Sequence, residues 1–470
     1  MVVVGSNGHV AWGFANTYGD WVDLVELEVD PHDSRRYRTP EGFKAFEEHA
    51  ETIRVHGAPS RTLSVRRTVW GPVIDSGSHG RPRALRWLAH DAEATNLKLI
   101  GMERARDVHE AMQVAHVSGI PPQNFIVADS AGNIAWTVMG RIPRRHGYDP
   151  RLPGSWAGGG RGWIGWLPPD EYPRVVNPAS GALWAANARA VDGRALAVLG
   201  DGGYALGARA MQIRDGLLAL RSATEADMLA IQLDDRALFL ARWRRLLLQA
   251  LGDDPARDAL RRAVEDGAAR ASVDDAGYRL VRAFRHQVAA RVWSTIVLGC
   301  GGLHAGDGLP APRQFEGALW RVLDARPKHL LNPRYASWHE LLLAAADAAT
   351  DGCARRDPAR CTWGDANVAS IRHPLGRAIP LLGDWLDMPA TPLPGDTHMP
   401  RVQRPQMGAS ERFAVAPGRE ALGYFHMPAG QSAHPMSPFY DAGHRAWEEG
   451  RATPFLPGPA RHRLSLTPDG

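Results

Sequence analysis

Hydrophobic and polar residues alternate with a period of two along about the first 90 residues, a period typical of half-buried β-strands. The clearest runs are Val22–Val29 and Thr62–Trp70, which are separated by turns containing glycine, proline and aspartate. A β-hairpin is predicted ahead of them, with strands Val2–Val4 and His9–Trp12 joined by a Gly-Ser-Asn-Gly turn. The chain thus opens inside a hairpin, and we expect that its natural beginning is missing.

One helix interrupts the β-rich pattern and is predicted at about Arg106–Val117. A second hairpin follows it, formed by Asn124–Ala128 and Asn133–Val138. Residues 147–182 combine many glycines with several prolines and are predicted to form a long loop. A short strand, Ala182–Ala186, is predicted to close this part of the chain.

From residue 207 to about residue 350 the hydrophobic period becomes helical. Thr224 and Asp227 form a capping pattern that begins one helix, and Ser337 precedes Glu340 with the same spacing at the start of another. A further helix is predicted to carry a buried stripe at every fourth residue: Leu280, Phe284, Val288 and Val292.

The order of the elements indicates an α+β fold, because strands are followed by helices and then by strands again. We divide the chain into residues 1–206, a β-rich first part of the core; residues 207–350, a helical insertion; and residues 351–470, a last part of strands and loops. The first and last parts are expected to pair in one sheet.

The composition is that of a globular protein and argues against two classes of partner. Of the 470 residues, 55 are basic and 51 are acidic, which gives a net charge of +4 with the two signs interspersed. We therefore expect neither a nucleic-acid nor a membrane partner. No uninterrupted run of about 18 apolar residues occurs, so no membrane-spanning helix is predicted either.

Two of the three cysteines, Cys353 and Cys361, lie close together in a polar segment that contains Pro358. In an oxidising compartment such a pair can form a local disulfide, and in a reducing one both remain thiols. The sequence leaves these alternatives open.

Common catalytic motifs do not occur in the sequence, neither a Gly-x-Ser-x-Gly segment nor a cysteine–histidine set at zinc spacing. One acidic pair stands out, since Asp20 and Asp23 can both reach one hard cation with a backbone carbonyl between them. The same pattern is also common in turns. By spacing alone, Asn187 is typical of a strand-end turn and Arg209 of a helix surface.

Several segments, taken in chain order, resemble the penicillin acylases and the acyl-homoserine-lactone acylases. Each segment is short, but together they run over essentially the whole chain, which makes the resemblance specific. The matching segments are Trp12–Leu24, Ala128–Ile134, Tyr148–Pro153, Asn177–Gly181, Ala186–Arg189, Ala208–Arg209, Trp363–Gly364, Gly395–Asp396, Ser410–Arg412 and Gly430–Tyr440.

This resemblance implies an N-terminal-nucleophile hydrolase with a four-layer αββα core, here incomplete at its N-terminus. In that family a precursor cuts itself into a small and a large subunit, and the new N-terminal serine of the large subunit is the nucleophile. A backbone N–H and an asparagine amide hold the oxyanion. They match the N–H of Asn16 and the side chain of Asn187, while Arg209 matches an arginine that holds the active site in place.

The resemblance also implies one structural Ca²⁺ and no organic cofactor. The calcium ligands match Asp20, the carbonyl of Val22, Asp23, the carbonyl of Pro150 and a later aspartate, for which Asp201 is the candidate. Oxygen ligands of this kind suit calcium. One more acid comes from the small subunit, so calcium is expected to bind more weakly to this chain alone.

Phe14 and Gln123 match the lining of the acyl pocket, and a glutamine there argues against a site for aromatic acyl groups alone. The substrate stays open among penicillin, an N-acyl-homoserine lactone and another linear amide. The expected partner is the small subunit of the same precursor, and the expected location is the periplasm or the exterior of the cell.

The nucleophilic serine is absent from this sequence, so the chain alone is expected to be inactive. The alternative function is a non-catalytic calcium-binding subunit. Asn16, Asn187 and Arg209 favour the enzyme, because a scaffold has no use for oxyanion donors.

Overall fold

The computed structural model describes residues 2–77, 80–299, 310–353, 357–379 and 381–467. The chain divides into two compact units, Met1–Tyr204 and Ala205–Gly470. Helices and antiparallel sheets both contribute, so the predicted α+β class is confirmed. Within the described residues, no helix combines the length and the apolar character that crossing a membrane requires.

The first unit is rich in β-structure. Its strands are β1 (Gly5–Ser6), β2 (Val10–Asn16), β3 (Val22–Glu26), β4 (Arg36–Thr39), β5 (Gly42–Ala45), β6 (Glu47–Ile53), β7 (Arg61–Thr68), β8 (Gly71–Ser76), β9 (Pro82–Trp87), β10 (Gln123–Asp129), β11 (Ile134–Met139), β12 (Pro143–His146), β13 (Gly162–Trp166) and β14 (Arg174–Val176). Its α-helices are α1 (Val108–Val117) and α2 (Gly193–Leu199).

One five-stranded antiparallel sheet has the order β1-β2-β10-β11-β14. Every second residue of its inner strands points towards α1, and Val10, Phe125 and Val127 are fully buried there. Helix α1 begins after Asp107, whose carboxylate accepts hydrogen bonds from two backbone N–H groups of the first turn. The sheet therefore presents one face to a helix and fixes the direction in which β2 ends.

The short strand β1 pairs with β2 only at Ala11 and Trp12. Beyond that point, among the described residues, Gly13–Asn16 have a strand partner on one side only, which is β10. This edge of β2 is called the open edge below.

A second five-stranded sheet has the order β3-β9-β8-β7-β6. Its core contains Val25, Leu27, Tyr37 and Trp156. The residues of β6 and the first four residues of β7 are all solvent-exposed, so this end of the sheet is packed on neither face.

The second unit is mainly helical. Its helices are α3 (Ala208–Leu218), α4 (Glu225–Gln232), α5 (Ala241–Leu251), α6 (Asp258–Asp266), α7 (Ala276–Gly299), α8 (Glu316–Ala325), α9 (Trp338–Ala349), α10 (Trp363–Ala366), α11 (Pro374–Ala378), α12 (Gly383–Leu386) and α13 (His444–Glu449). Its strands are β15 (Gln403–Arg404), β16 (Met407–Gly408), β17 (Arg412–Ala414) and β18 (Tyr424–His426).

The predicted stripe of α7 is confirmed, since Leu280, Phe284, Val288 and Val292 are fully buried in the core that α7 forms with α5, α6 and α9. The capping pattern at the start of α4 is also confirmed, with hydrogen bonds in both directions between Thr224 and Asp227. Ser337 caps α9 as predicted. Cys353 and Cys361 form a disulfide, which settles the alternative that the sequence left open.

Four predictions about elements were wrong. The strand predicted at Val2–Val4 is absent, and the first strand, Gly5–Ser6, lies within the residues predicted to form the turn. Among the described residues each sheet takes its strands from one unit, so the first and last parts of the chain do not share a sheet. The segment 147–182 is not all loop, because it contains β13 and β14. The strand predicted at Ala182–Ala186 is absent, since a tight turn begins at Ala185 instead.

Candidate active site

Asn16 is the last residue of β2 and lies opposite Gln123, the first residue of β10. Phe14 lies opposite Phe125 in the same ladder, with 5.8 Å between the ring centroids. Residues directly opposite each other, or two apart on one strand, share a face of the sheet. The predicted acyl-pocket residues Phe14 and Gln123 are therefore on the same face as Asn16.

Asn187 lies in a tight turn from Ala185 to Ala188, in which the N–H of Ala188 donates to the carbonyl of Ala185 over 3.0 Å. The two central residues, Ala186 and Asn187, have φ values of 52° and 61°. Asparagine tolerates this left-handed region better than most residues, but alanine does not. The turn orients the Asn187 amide so that Nδ2 donates to the carbonyl oxygen of Asn16 over 2.8 Å, across 171 residues of sequence.

Asn124 is a site residue that the sequence reasoning missed. Its amide Nδ2 also donates to the carbonyl oxygen of Asn16, over 3.2 Å, and its Oδ1 accepts from the indole of Trp136 over 3.0 Å. The side chain is buried. The sequence did contain a sign of this role, because Asn124 directly precedes the apolar run Phe125–Ala128 of a predicted strand. An amide buried in such a strand needs hydrogen-bond partners for both its oxygen and its nitrogen.

The segment that follows β2 is joined to the loop after α2 by backbone contacts. The N–H of Asp20 donates to the carbonyl of Leu199 over 2.8 Å, and the N–H of Gly202 donates to the carbonyl of Tyr18 over 2.7 Å. The two segments approach so closely that a Cβ on Gly202 would lie 2.3 Å from the carbonyl oxygen of Gly19. Glycine at position 202 thus permits the contact.

The acidic pair lies at the start of β3 and is bound by Arg145 of β12. Arg145 Nε donates to Asp23 Oδ2 over 2.8 Å, and its Nη2 donates to the carbonyl oxygen of Asp20 over 2.9 Å. The same Asp23 oxygen accepts from Trp163 Nε1 over 2.6 Å. Burial raises the pKa of the Asp20 carboxyl to about 6, although the charge of Arg145 opposes the shift.

Asp201, the third carboxylate among the predicted calcium ligands, already has partners of its own. Asp201 forms an ion pair with Arg189 over 2.6 Å and accepts from the N–H of Gly203. Burial acts to raise the pKa of Asp201, but these hydrogen bonds outweigh it and the pKa is lowered. Val22 is the first residue of β3, and Pro150 lies in the loop after β12.

The arrangement of these donors does not fit a calcium ion. Among the described residues, no group of three or more carboxylate, histidine or cysteine side chains is placed to hold a metal. A guanidinium and an indole N–H already point at the carboxylate that calcium would need. Calcium binding therefore stays a prediction, and the geometry argues against it.

Arg209 lies at the second position of α3, in the second unit, where it is partly buried. The first unit brings together Phe14, Asn16, Gln123 and Asn187. The role predicted for Arg209 beside them stays a prediction.

Comparison with known proteins gives a consistent set of relatives. The chain is 26% identical to an acyl-homoserine lactone acylase, QuiP, of Pseudomonas aeruginosa over 99% of this chain and 62% of the relative. It is also 26% identical to the penicillin acylase 2 proenzyme of Pseudomonas sp. strain SE83, over 96% of this chain and 59% of the relative. The chain thus spans about three fifths of the length of these relatives.

The fold is that of a solved penicillin G acylase, the thermostable enzyme from Alcaligenes faecalis, with a TM-score of 0.66. That likeness covers 100% of this chain and 90% of the solved chain at 19% sequence identity. The family model described as penicillin amidase matches residues 1–462 of the 470. The chain therefore belongs to the penicillin amidase family.

Proposed function

We propose that this chain is the larger part of an acylase that hydrolyses a linear amide through an acyl-enzyme intermediate. The observation that carries the proposal is the 2.8 Å hydrogen bond between the amide of Asn187 and the carbonyl oxygen of Asn16. It joins the two residues whose N–H groups are the proposed oxyanion donors, although 171 positions separate them in the sequence. An amide nitrogen carries two hydrogens, so this bond can orient the side chain while the same group serves as a donor.

In the proposed reaction, the hydroxyl of a serine attacks the carbonyl carbon of the substrate amide. Negative charge develops on the carbonyl oxygen, where the N–H of Asn16 and the amide of Asn187 stabilise it. The amine product then leaves, and water hydrolyses the acyl-serine ester. The serine is proposed to be an N-terminal residue outside these 470 residues, with its own α-amine as the base.

The open edge of β2 supports this proposal, because a further strand that pairs there would run directly past Asn16. The name of one relative, a proenzyme, supports a precursor that is cut into two subunits. We propose the small subunit of that precursor as the partner of this chain. The disulfide between Cys353 and Cys361 supports an oxidising location, such as the periplasm or the exterior of the cell.

The proposed substrate carries an acyl group that contacts Phe14 and Gln123. Phe14 is partly buried against the ring of Phe125, while Gln123 adds a polar group on the same face. The names of the two relatives suggest an acyl-homoserine lactone or a penicillin. An aliphatic acyl chain with a polar atom near the amide suits this mixed surface best.

The experiment is to compare the 470-residue chain alone with the same chain expressed with the segment that supplies the serine and the small subunit. Each is assayed on chromogenic amides with aromatic and aliphatic acyl groups, on penicillins and on acyl-homoserine lactones. A serine-directed sulfonyl fluoride then identifies the nucleophile by mass spectrometry. We expect turnover and labelling only in the complete enzyme, with the label on the new N-terminal serine.

Hydrolysis by the 470-residue chain alone, with the label on one of its own residues, contradicts the proposed origin of the nucleophile. A complete enzyme that leaves every amide intact contradicts the proposed reaction. A second substitution addresses the acyl pocket: Gln123→Leu should shift the preference towards wholly apolar acyl groups, and an unchanged ranking of the substrates removes Gln123 from the pocket.

A further inference from the structure

The acidic pair, Asp20 and Asp23, is bound by a positively charged side chain of the same chain, that of Arg145. The guanidinium of Arg145 reaches the Asp23 carboxylate and the Asp20 carbonyl oxygen through hydrogen bonds, and its Nη2 lies 3.5 Å from the Asp20 carboxylate. The Arg145 side chain is 11% exposed, and the Asp23 side chain is 3% exposed. Three oxygens from two residues thus surround one buried positive group.

This arrangement excludes a metal ion from the same position. Calcium requires six to eight oxygen ligands that converge on one point at about 2.3–2.6 Å. The oxygens of Asp23 and Asp20 converge instead on a planar guanidinium, which has N–H groups in a fixed fork. Trp163 adds an indole N–H to the Asp23 oxygen that Arg145 contacts, and an N–H group on a carboxylate oxygen repels an approaching cation.

Asp201, whose charge acts on Asp20, is also paired with an arginine, but at the surface, where its side chain is 42% exposed. Its carboxylate is paired with Arg189 and also accepts a backbone N–H. Three carboxylates therefore face two guanidinium groups, and a divalent ion would have to displace at least one arginine to gain the ligands that it needs. Displacing Arg145 would leave a buried charge without a partner, which is strongly unfavourable.

We infer that Arg145 takes the place of a structural calcium ion, so that this acidic pair is held together by a side chain and the protein does not depend on calcium. Arg145 lies on β12, which pairs with β13 and presents Trp163 opposite Arg145. Its contacts tie the segment from Asp20 to Asp23 to that two-stranded ladder. This inference stands independently of the proposed catalytic activity, because it concerns folding and ion binding only.

The test is thermal melting of the 470-residue chain and of two variants, Arg145→Ala and Arg144→Ala, each with a calcium chelator and with millimolar calcium. Arg144 is the matched control, because this neighbouring arginine is 48% exposed and pairs with Glu171 at the surface over 3.3 Å. We expect the parent chain and Arg144→Ala to melt at the same temperature in both buffers. Arg145→Ala should melt about 5 °C lower or more in chelator, and calcium should restore part of the loss.

Direct titration of the parent chain with calcium chloride by calorimetry adds a measurement that requires no variant to fold. No heat of binding is expected at millimolar calcium, whereas saturable binding or a melting temperature that rises with calcium overturns the inference. Arg145→Ala that melts like Arg144→Ala in chelator, or that gains no stability from calcium, overturns it as well. If Arg145→Ala does not fold, Arg145→Lys keeps the charge but loses the fork, and it should fold with a lower melting temperature that calcium does not change.

Discussion

Asn187 combines two demands at one residue. Its backbone has a φ of 61°, which side-chain-bearing residues seldom adopt, and its side chain donates to the carbonyl oxygen of Asn16. Its neighbour Ala186 has a φ of 52° without the local hydrogen bonding that asparagine offers. A turn with two such residues in succession is strained, and strain of this kind persists where the surroundings fix the conformation.

These two demands can be separated by substitution in the complete enzyme. Asn187→Gly keeps the turn but removes the amide, so kcat should fall roughly 10²–10³-fold with little change in KM. Asn187→Ala should lose a similar factor in kcat and also about 1 kcal/mol of stability, because its Cβ is strained at this φ. Steady-state kinetics and melting curves measure the two effects.

Asn177 provides the control for that pair. It too is an asparagine with a positive φ, of 44°, but its amide contacts the side chain of Asn133. Asn177→Gly should leave kcat unchanged. If Asn187→Gly keeps a normal kcat while Asn187→Ala does not, the conformation of the turn matters for catalysis and the amide is not an oxyanion donor.

His116 is buried in the first unit with a defined tautomer. The hydroxyl of Thr137 donates to the carbonyl of Pro173 over 2.8 Å, so it can only accept from the imidazole Nε2, which lies 3.0 Å away. The ring stacks on Tyr172 with 4.2 Å between centroids. Burial, with a smaller contribution from Arg174, lowers the pKa of His116 from its usual 6.5 to about 4.

This pKa predicts a loss of stability in mild acid. Between pH 6.5 and about 4 the unfolded chain binds a proton at His116 and the folded chain does not, so the free energy of unfolding falls as the pH falls. The contribution of this one residue is about 3 kcal/mol over that range. His116→Gln keeps a donor but cannot titrate, so its stability should depend less on pH. Denaturant unfolding of the parent chain and of His116→Gln at pH 7 and pH 4.5 measures the difference. If both proteins lose the same free energy of unfolding between the two pH values, the lowered pKa of His116 is contradicted.

At the scale of single residues, the sequence revealed groups whose chemistry is conspicuous but not their partners. Asp20 and Asp23 were recognised as a pair because two carboxylates three residues apart suggest a cation. The cation that binds them is Arg145, more than 120 residues away, and nothing in the local pattern distinguishes it from the exposed Arg144. A contact of this range depends on the fold and cannot be obtained from spacing.

The contact between the segment after β2 and the loop after α2 depends on close approach of two backbones. Gly19 and Gly202 lie where they meet, and a Cβ on Gly202 would be 2.3 Å from the carbonyl oxygen of Gly19 and 3.1 Å from that of Tyr18. Both atoms belong to the backbone, so neither can move away cheaply.

We expect Gly202→Ala to cost about 1–3 kcal/mol of stability, because the methyl group forces the two segments apart. Gly158→Ala is the control, since nothing lies within 4 Å of a Cβ at that position. Melting curves of both variants test the contact. Equal melting temperatures would show that the loop after α2 can move away without penalty.

Elements with a strong local pattern were predicted well. Helix α1, the hairpin of β10 and β11, the cap of α4 and the stripe of α7 each have a period or a capping residue that operates within one element. By contrast, β13 and β14 are short and lie among glycines and prolines, so no period marks them. They are stabilised by pairing, β13 with β12 and β14 with β11. These partner strands cannot be recognised from the few residues that surround β13 or β14 in the sequence.

At the scale of the whole molecule, the order of elements was correct but their pairing was not. Strands, helices and then short strands do follow one another, yet the strands of the last part form two-stranded ladders of their own. Sequence order restricts which strands can be neighbours only weakly when a long helical segment separates them. The hydrophobic and polar pattern gave no reason to associate Asn16 with Asn187. Only the resemblance to a known family predicted that these two residues act together.

The disulfide between Cys353 and Cys361 is expected to stabilise the second unit. It closes a short loop with a sequence separation of 8, which in the chain-entropy model contributes about 2–3 kcal/mol. Adding a reductant should therefore lower the melting temperature of the parent protein, whereas a Cys353→Ser/Cys361→Ser variant should already melt at the lower temperature and not respond to reductant. If the parent protein has the same melting temperature with and without reductant, the disulfide does not stabilise the second unit.

The open edge of β2 has a consequence for how the chain behaves in solution. Among the described residues, Gly13–Asn16 are paired with a strand on one side only, so every second one of them directs its backbone N–H and C=O groups away from β10; the Asn16 carbonyl oxygen already accepts from Asn187. Such an edge accepts a strand from any neighbouring molecule, including another copy of the same chain. At rising concentration the purified chain should therefore form dimers and larger species that sedimentation velocity can resolve, and a short synthetic strand that competes for the edge should keep it monomeric.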